Sequence, residues 1–321
     1  MIEEIKLQVD ISIRQSSDAY DVIVIGAGPA GMSAALCAGR AKLKTLLIDK
    51  SLPGGEASTA YIVDNFLGFP DGILGVDLAS KMEDHLKRVD VEFVCTSVDS
   101  IQDSHAKIKL VHTNLGTVYK AATIILAMGL EPKPLGTLFE RQFMGRGISY
   151  YAQGDASWYR GKNVAVVGGG NCACYAADYL SQYVDHLYLI HRSDGLKAVK
   201  ALKDRVLANP KIRPIWNSEV EDAFGVDRLE KIKVLNRSTG QYTWLDIKCL
   251  FVYVGRIPPK ELLTLSIKVD EKGFILTDEY MRTTVPGIYA AGDIRVKQIR
   301  QIATAVSDGM IAAINAGREL E

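Results

Sequence analysis

Cysteine is scarce: Cys37, Cys95, Cys172, Cys174 and Cys249 are all that 321 residues contain. So few exclude a disulfide framework, and no Cys/His partner pair lies at ligand spacing, so no metal site is expected. An excess of charge of one sign is also missing. Lys+Arg is 38, Asp+Glu is 38 and the formal net charge is 0, which leaves no basic footprint for nucleic acid. Long hydrophobic runs are absent. Stretches such as Ile124 to Met128 fall far short of the ~20 residues a membrane span needs. Residues 1–17 carry Glu3, Glu4 and Asp10 rather than a basic start and an apolar core, so no secretory leader is read and a cytoplasmic protein is expected.

What is present suits a globular chain: 48% hydrophobic residues and a length that predicts two domains at roughly 150 residues each. An internal repeat organises it. Asp21 to Gly31 is an apolar strand running into Gly-x-Gly-x-x-Gly, followed by a helical pattern and a second strand, Thr45 to Ile48, that ends at Asp49. Asn163 to Ala173 repeats the design as Gly-x-Gly-x-x-Ala, with a helix and a strand from Leu187 to Ile190. At one constant offset Gly26 matches Gly168, Gly28 matches Gly170, Gly31 matches Ala173 and Asp49 matches His191.

A glycine pattern between strand and helix in a βαβ unit is a dinucleotide-binding signature. The first glycine makes the tight turn, the second lets backbone approach a pyrophosphate, and the third lets helix and strand pack. The helix N-terminus, with Pro29 and Ala30 in its first turn, offers free N–H groups to phosphate. Asp49 is placed to accept from a ribose hydroxyl. The plainer reading of each unit is a glycine turn that only allows close packing.

Pro132, Pro134 and Gly136 punctuate one boundary and Gly255-Arg-Ile-Pro-Pro259 another. They predict an α/β fold with two Rossmann-like dinucleotide-binding domains, the second inserted into the first. The first would comprise residues 18–134 and 258–321, the second 135–257, with 1–17 as an N-terminal extension. Ile5 to Ile13 alternates with period two and reads as a short half-buried strand.

Beyond the first repeat come Gly54-Gly55-Glu56-Ala57, Asp64-Asn65-Phe66-Leu-Gly68-Phe69-Pro70, Ala127-Met128-Gly129, Gly287-Ile-Tyr-Ala-Ala-Gly292-Asp293 and Arg300-Gln301-Ile302-Ala303-Thr304-Ala305. With Gly26 to Gly31 and Asp49, these resemble the low-molecular-weight thioredoxin reductases, flavoproteins with two dinucleotide domains, over residues 20 to 321. The resemblance implies FAD held by the first glycine loop, Asp49, Gly55, Glu56, Asn65, Val98, Ala127 and Gly129. It adds Gly292, Asp293, Gln301 and Ile302 from the C-terminal segment. In the second unit it implies a nucleotide contacted by Gly168, Gly170, Asn171, His191 and Arg192. It also implies a homodimer.

Two departures stand out. The family's Ser-Tyr-Cys-Ala-Thr-Cys-Asp carries a redox disulfide; here the stretch is Ser149-Tyr150-Tyr151-Ala152-Gln153-Gly154-Asp155. Tyr151 takes a position that faces the flavin in the family. The family's His-Arg-Arg and later Arg hold the NADPH 2′-phosphate; here they are His191-Arg192-Ser193 and Lys197, and lysine lacks the bidentate fork. Among relatives that depart this way, the chain looks most like the cyanobacterial diflavin-linked disulfide oxidoreductases, in which a second FAD takes the NADPH slot.

Cys172 and Cys174 sit in the second cradle, at a helix start where a thiolate is favoured. One reading is a displaced redox pair, passing electrons between flavin and a thiol or disulfide partner. The other is two small cysteines packing a helix. A bridge across one intervening residue requires irregular backbone there, because i and i+2 point to different sides of a regular helix. Cys37, Cys95 and Cys249 read as core. An FAD-dependent disulfide oxidoreductase with weak or no NADPH use is thus expected, with its electron donor unidentified. A ferredoxin–NADP reductase type without a disulfide step is the alternative.

Overall fold

The structure, a computed structural model, describes residues 15–103, 108–259 and 266–321. The expected strand at Ile5 to Ile13, and most of the 1–17 extension, lie outside the described residues. The chain divides into two compact units, Met1–Leu130 with Pro258–Glu321, and Glu131–Ile257.

The first unit opens with β1 (Gln15–Ile25), α1 (Pro29–Arg40), β2 (Thr45–Asp49), α2 (Gly75–Leu86) and β3 (Val91–Cys95). The hairpin β4 (Val98–Asp103) and β5 (Lys109–Thr113) follows, then β6 (Val118–Leu126). Strands β3, β2, β1 and β6 lie side by side and parallel. Such strands are covered on both faces and read as unbroken apolar runs. Val22 and Val24 of β1 point to one side with Leu47 and Ile125. Ile23 and Ile25 point to the other with Ile48 and Ile124.

The second unit starts on a short strand β7 (Glu131–Pro132) and a short helix α3 (Leu138–Phe143). Buried Glu140 accepts the N–H groups of Leu135 and Gly136, each at 2.9 Å, and the hydroxyl of Tyr150. After β8 (Ile148–Ser149), α4 (Ala152–Asp155), β9 (Asn163–Val167), α5 (Asn171–Leu180), β10 (His186–Ile190) and α6 (Lys200–Ala208) comes β11 (Ile212–Ile215). A meander, β12 (Ser218–Phe224), β13 (Lys231–Asn236) and β14 (Tyr242–Asp246), leads to β15 (Cys249–Val252) and β16 (Arg256–Ile257). The parallel sheet runs β11-β10-β9-β15-β8. β16 pairs antiparallel with β7, Arg256 opposite Pro132 and Ile257 opposite Glu131.

Returning to the first unit, β17 (Ile288–Ala290) pairs parallel with the second half of β6, while β5 takes its first half. The long helix α7 (Ile302–Leu320) then packs on α1 through small residues. A Cβ at Gly309 would stand 2.0 Å from the Ala30 carbonyl oxygen. Each unit thus carries a strand–glycine turn–helix, and the repeat seen in the sequence becomes two α/β dinucleotide-binding folds.

Candidate functional site

In the first unit the glycine turn, Asp49, Ala127 and Gly292 lie at the carboxyl ends of β1, β2, β6 and β17. Open parallel sheets bind ligands at that edge. Gly26 has φ +105, and a Cβ there would lie 2.4 Å from the Ala127 carbonyl oxygen. At Gly31 a Cβ would fall 1.7 Å from the Gly26 carbonyl. No side chain fits either position. Gly28 is the N-cap of α1 with no side-chain cap, and Pro29 begins the helix. Its neighbour across the groove is Gly55, whose added Cβ would stand 2.8 Å from Gly28 Cα. The groove is therefore lined by bare backbone, as a pyrophosphate requires. These residues fit FAD.

The Asp49 carboxylate takes the Ala27 N–H at 2.6 Å on Oδ2 and the Ser51 N–H at 2.8 Å on Oδ1. It holds the turn shut, and with about four lone-pair sites it retains room to accept a ribose hydroxyl. Asn65 Nδ2 donates to Gln301 Oε1 at 2.9 Å. Gln301 in turn caps α7, whose first residue is Ile302, in a capping box with Thr304. Glu56 sits exposed in the 3-10 turn Gly55–Thr59, Val98 begins β4, and Gly129 has φ +63 with open space above it. Asp293 lies in the turn Gly292–Ile294, where its carbonyl accepts Arg300 Nε at 3.2 Å.

Sequence reasoning passed over one buried acid that backs the Gly292 turn. Asp308, 6% exposed, accepts Gly292 N at 3.2 Å, Arg295 Nη1 at 3.2 Å and Lys297 Nζ at 2.7 Å. A buried acid on a helix face otherwise made of small residues and Asn315 is the signal that could have found it.

The second cradle is built alike. Gly168 has φ +144, and an added Cβ would meet the Tyr253 carbonyl oxygen at 2.4 Å and Ala173 Cβ at 2.9 Å. Gly170 is the uncapped N-cap of α5 and faces open space. Asn171 Oδ1 accepts Val199 N at 2.9 Å, and Gly169 O accepts Lys197 N at 2.7 Å, which lays residues 197–199 against the turn. His191, 6% exposed, stands where Asp49 stands in the first unit, its ring against Gly169. Its Nε2 is buried with no hydrogen-bond partner among the described residues. Burial, then Lys197 and Arg192, hold its pKa below the ordinary value, so the ring is neutral at neutral pH. Arg192 and Lys197 are exposed.

Tyr150 and Tyr151 follow β8 at the same carboxyl edge. Ser149 Oγ accepts Tyr151 N at 2.9 Å, and Ala152 N donates to the Tyr253 hydroxyl at 3.1 Å. The Tyr151 ring lies over Gly154: an added Cβ there would meet Cε1 at 2.3 Å. The two positions that carry cysteines in the resembling family thus fill one space between them. Tyr175, Tyr179 and Tyr183 pack against the core beneath α5.

The five cysteines fall in different environments. None of the five forms a disulfide. The first turn of α5 is regular, with Cys174 N bonded to Gly170 O at 3.1 Å, so the irregular backbone a bridge requires is not there. Cys172 is exposed, whereas Cys174 is fully buried in the core. Burial pushes the Cys174 thiol up to about 11, only partly offset by Lys203, the reverse of an activated thiol. Cys249 is core, Cys37 is half-buried and Cys95 is exposed. Cys95 departs from expectation because β3 is an edge strand of its sheet.

The family model of the pyridine nucleotide-disulphide oxidoreductases matches residues 20–309. A thioredoxin reductase of Listeria innocua is 41% identical over 94% of this chain and 94% of its own length. The crystal structure of Lactococcus lactis thioredoxin reductase, in its FR conformation, superposes with a TM-score of 0.89 at 36% identity, covering 93% of this chain and 98% of that one. A ferredoxin-flavin thioredoxin reductase from Clostridium acetobutylicum is 29% identical with a TM-score of 0.51, covering 96% of this chain and 99% of that one. The chain therefore belongs to the pyridine nucleotide-disulphide oxidoreductase family and is a flavin-dependent oxidoreductase homologous to the thioredoxin reductases.

Proposed function

We propose that this protein moves electrons between a bound FAD and an external redox partner, with no protein dithiol between them. FAD would be held by the first glycine loop, Asp49, Gly55, Asn65, Asp293 and the Gln301–Ile302 start of α7. The group supplies both one- and two-electron redox chemistry, while the protein positions it and excludes side reactions. The observation that carries the reading is the Tyr151 ring over Gly154, which fills the place of the family's exchange dithiol. The test is anaerobic flavin reduction with thiols counted before and after. The flavin should reduce with the number of titratable thiols unchanged; two new thiols on reduction would overturn the reading.

The second cradle keeps its pyrophosphate turn and has lost part of its 2′-phosphate clamp. We read it as a dinucleotide site that uses NADPH weakly or not at all. A second FAD is the alternative occupant, decided by FAD released per polypeptide. The Clostridium acetobutylicum relative is named for ferredoxin and flavin, and that likeness favours a ferredoxin-class donor. A cytoplasmic homodimer is the assembly this reading carries. Exposure of Cys172 beside the cradle favours one second reading, in which Cys172 and Cys174 exchange with a disulfide partner. That step requires the first turn of α5 to unwind.

A further inference from the structure

At the carboxyl end of β17 the chain turns through Gly292 to Lys297, and one buried carboxylate braces both ends of that turn. Asp308 takes the Gly292 N–H on one side and the Arg295 and Lys297 cations on the other. Arg300 adds a third cation, spent on the carbonyls of Asp293 and Arg295 and on the face of Phe274, 4.0 Å from its ring centroid. Three cations thus stand against two carboxylates, those of Asp293 and Asp308. The Lys297 and Asp308 side chains are each 9% exposed, so water screens the surplus poorly, and an unbalanced buried charge is costly. The turn also touches the cradle. Gly292 has φ +81, and a Cβ on it would lie 2.8 Å from Ala30 Cβ, in the first turn of α1. Gly309, next to Asp308, lies against the Ala30 carbonyl.

We propose that Arg295, Lys297 and Asp308 form a further wall of the dinucleotide site. Asp308 is a positioning residue that sets the Gly292–Asp293 turn, and the surplus positive charge at Lys297 is balanced by the diphosphate of the bound cofactor. This rests on the FAD reading above. It makes the free protein carry an electrostatic penalty that binding removes.

The test uses full-length protein stripped of flavin, with FAD affinity followed by fluorescence over a range of KCl and melting followed with and without FAD. Lys297→Met should bind FAD about tenfold more weakly at low salt, with a flatter salt dependence. Without FAD, Lys297→Met should melt no lower than wild type; with FAD it should melt lower. Asp308→Asn should weaken binding and blur the fine structure of the bound flavin's absorption band, and Asp308→Glu should restore part of both. Should Lys297→Met lower both melting points alike with affinity unchanged, the cluster is structural only and the proposal falls. Failure of stripped wild-type protein to bind FAD would sink the FAD reading and this proposal together; unaltered variants of a wild type that binds sink this proposal alone.

Discussion

Tyr151 and Gly154 share one volume: the ring of the first lies where the side chain of the second would begin, 2.3 Å from an added Cβ. The pair is coupled, since a residue larger than glycine at 154 expels the ring, and a small residue at 151 vacates the space. Gly154→Ala should therefore swing Tyr151 into solvent. Tyr151 is already 45% exposed, so the loss should stay near 1 kcal/mol. The change reads out as altered tyrosine fluorescence and a small drop in melting temperature. Tyr151→Cys with Gly154→Cys should form a disulfide that thiol counting detects, because Tyr151 caps the short helix α4 and its side chain already lies over Gly154.

The thiols should separate by reactivity. Cys172 and Cys95 should alkylate at once in native protein, and Cys174 and Cys249 only on unfolding. Above pH 9 the unfolded chain ionises Cys174 first, so its contribution to stability should fall as pH climbs from the ordinary thiol value of 9.0 to about 11. Cys174→Ala should remove that decline. Mass spectrometry of alkylated peptides and alkaline melting curves check both points.

Selection for the 2′-phosphate should be recoverable. Ser193→Arg with Lys197→Arg supplies two forks, and each charged hydrogen bond contributes about 1.5–3 kcal/mol. NADPH affinity should rise by at least roughly tenfold while NADH affinity stays unchanged, measured by titration of the purified protein.

His191 makes an acid-side prediction. Its folded pKa is depressed below 6.5, so folding holds it neutral. That contribution is complete above pH 6.5 and declines as pH falls towards the folded pKa, because the unfolded chain takes the proton first. Melting temperature should drop on acidification through this window, and His191→Gln should flatten that part of the curve.

Much of this was legible in the chain itself. Strand, glycine turn and helix are local events, so Gly26–Gly31 and Gly168–Ala173 announced both dinucleotide folds. What stayed hidden was set by contacts distant in sequence. Asp308 meets Gly292 through the packing of α7, and Tyr253 reaches Ala152 across neighbouring strands. The separate environments of Cys172 and Cys174 follow from one regular helical turn, which composition does not decide. Cys95 looked like core because an apolar strand reads alike in the middle and at the edge of a sheet.

The ribbon of β7 and β16 sets where the inserted unit begins and ends. Glu131 and Ile257 are partners across it, so the two crossings lie about one interstrand spacing apart, roughly 5 Å. A guest joined at adjacent points imposes almost no loop-closure entropy on its host, whatever its length. Glu140 then pins the first loop of the guest by two backbone N–H groups, before its own sheet begins. The architecture is that of a detachable module: a tight turn from Leu130 to Pro258 could replace the whole of Glu131–Ile257. Flavin affinity of that shortened chain would measure how far the host stands alone.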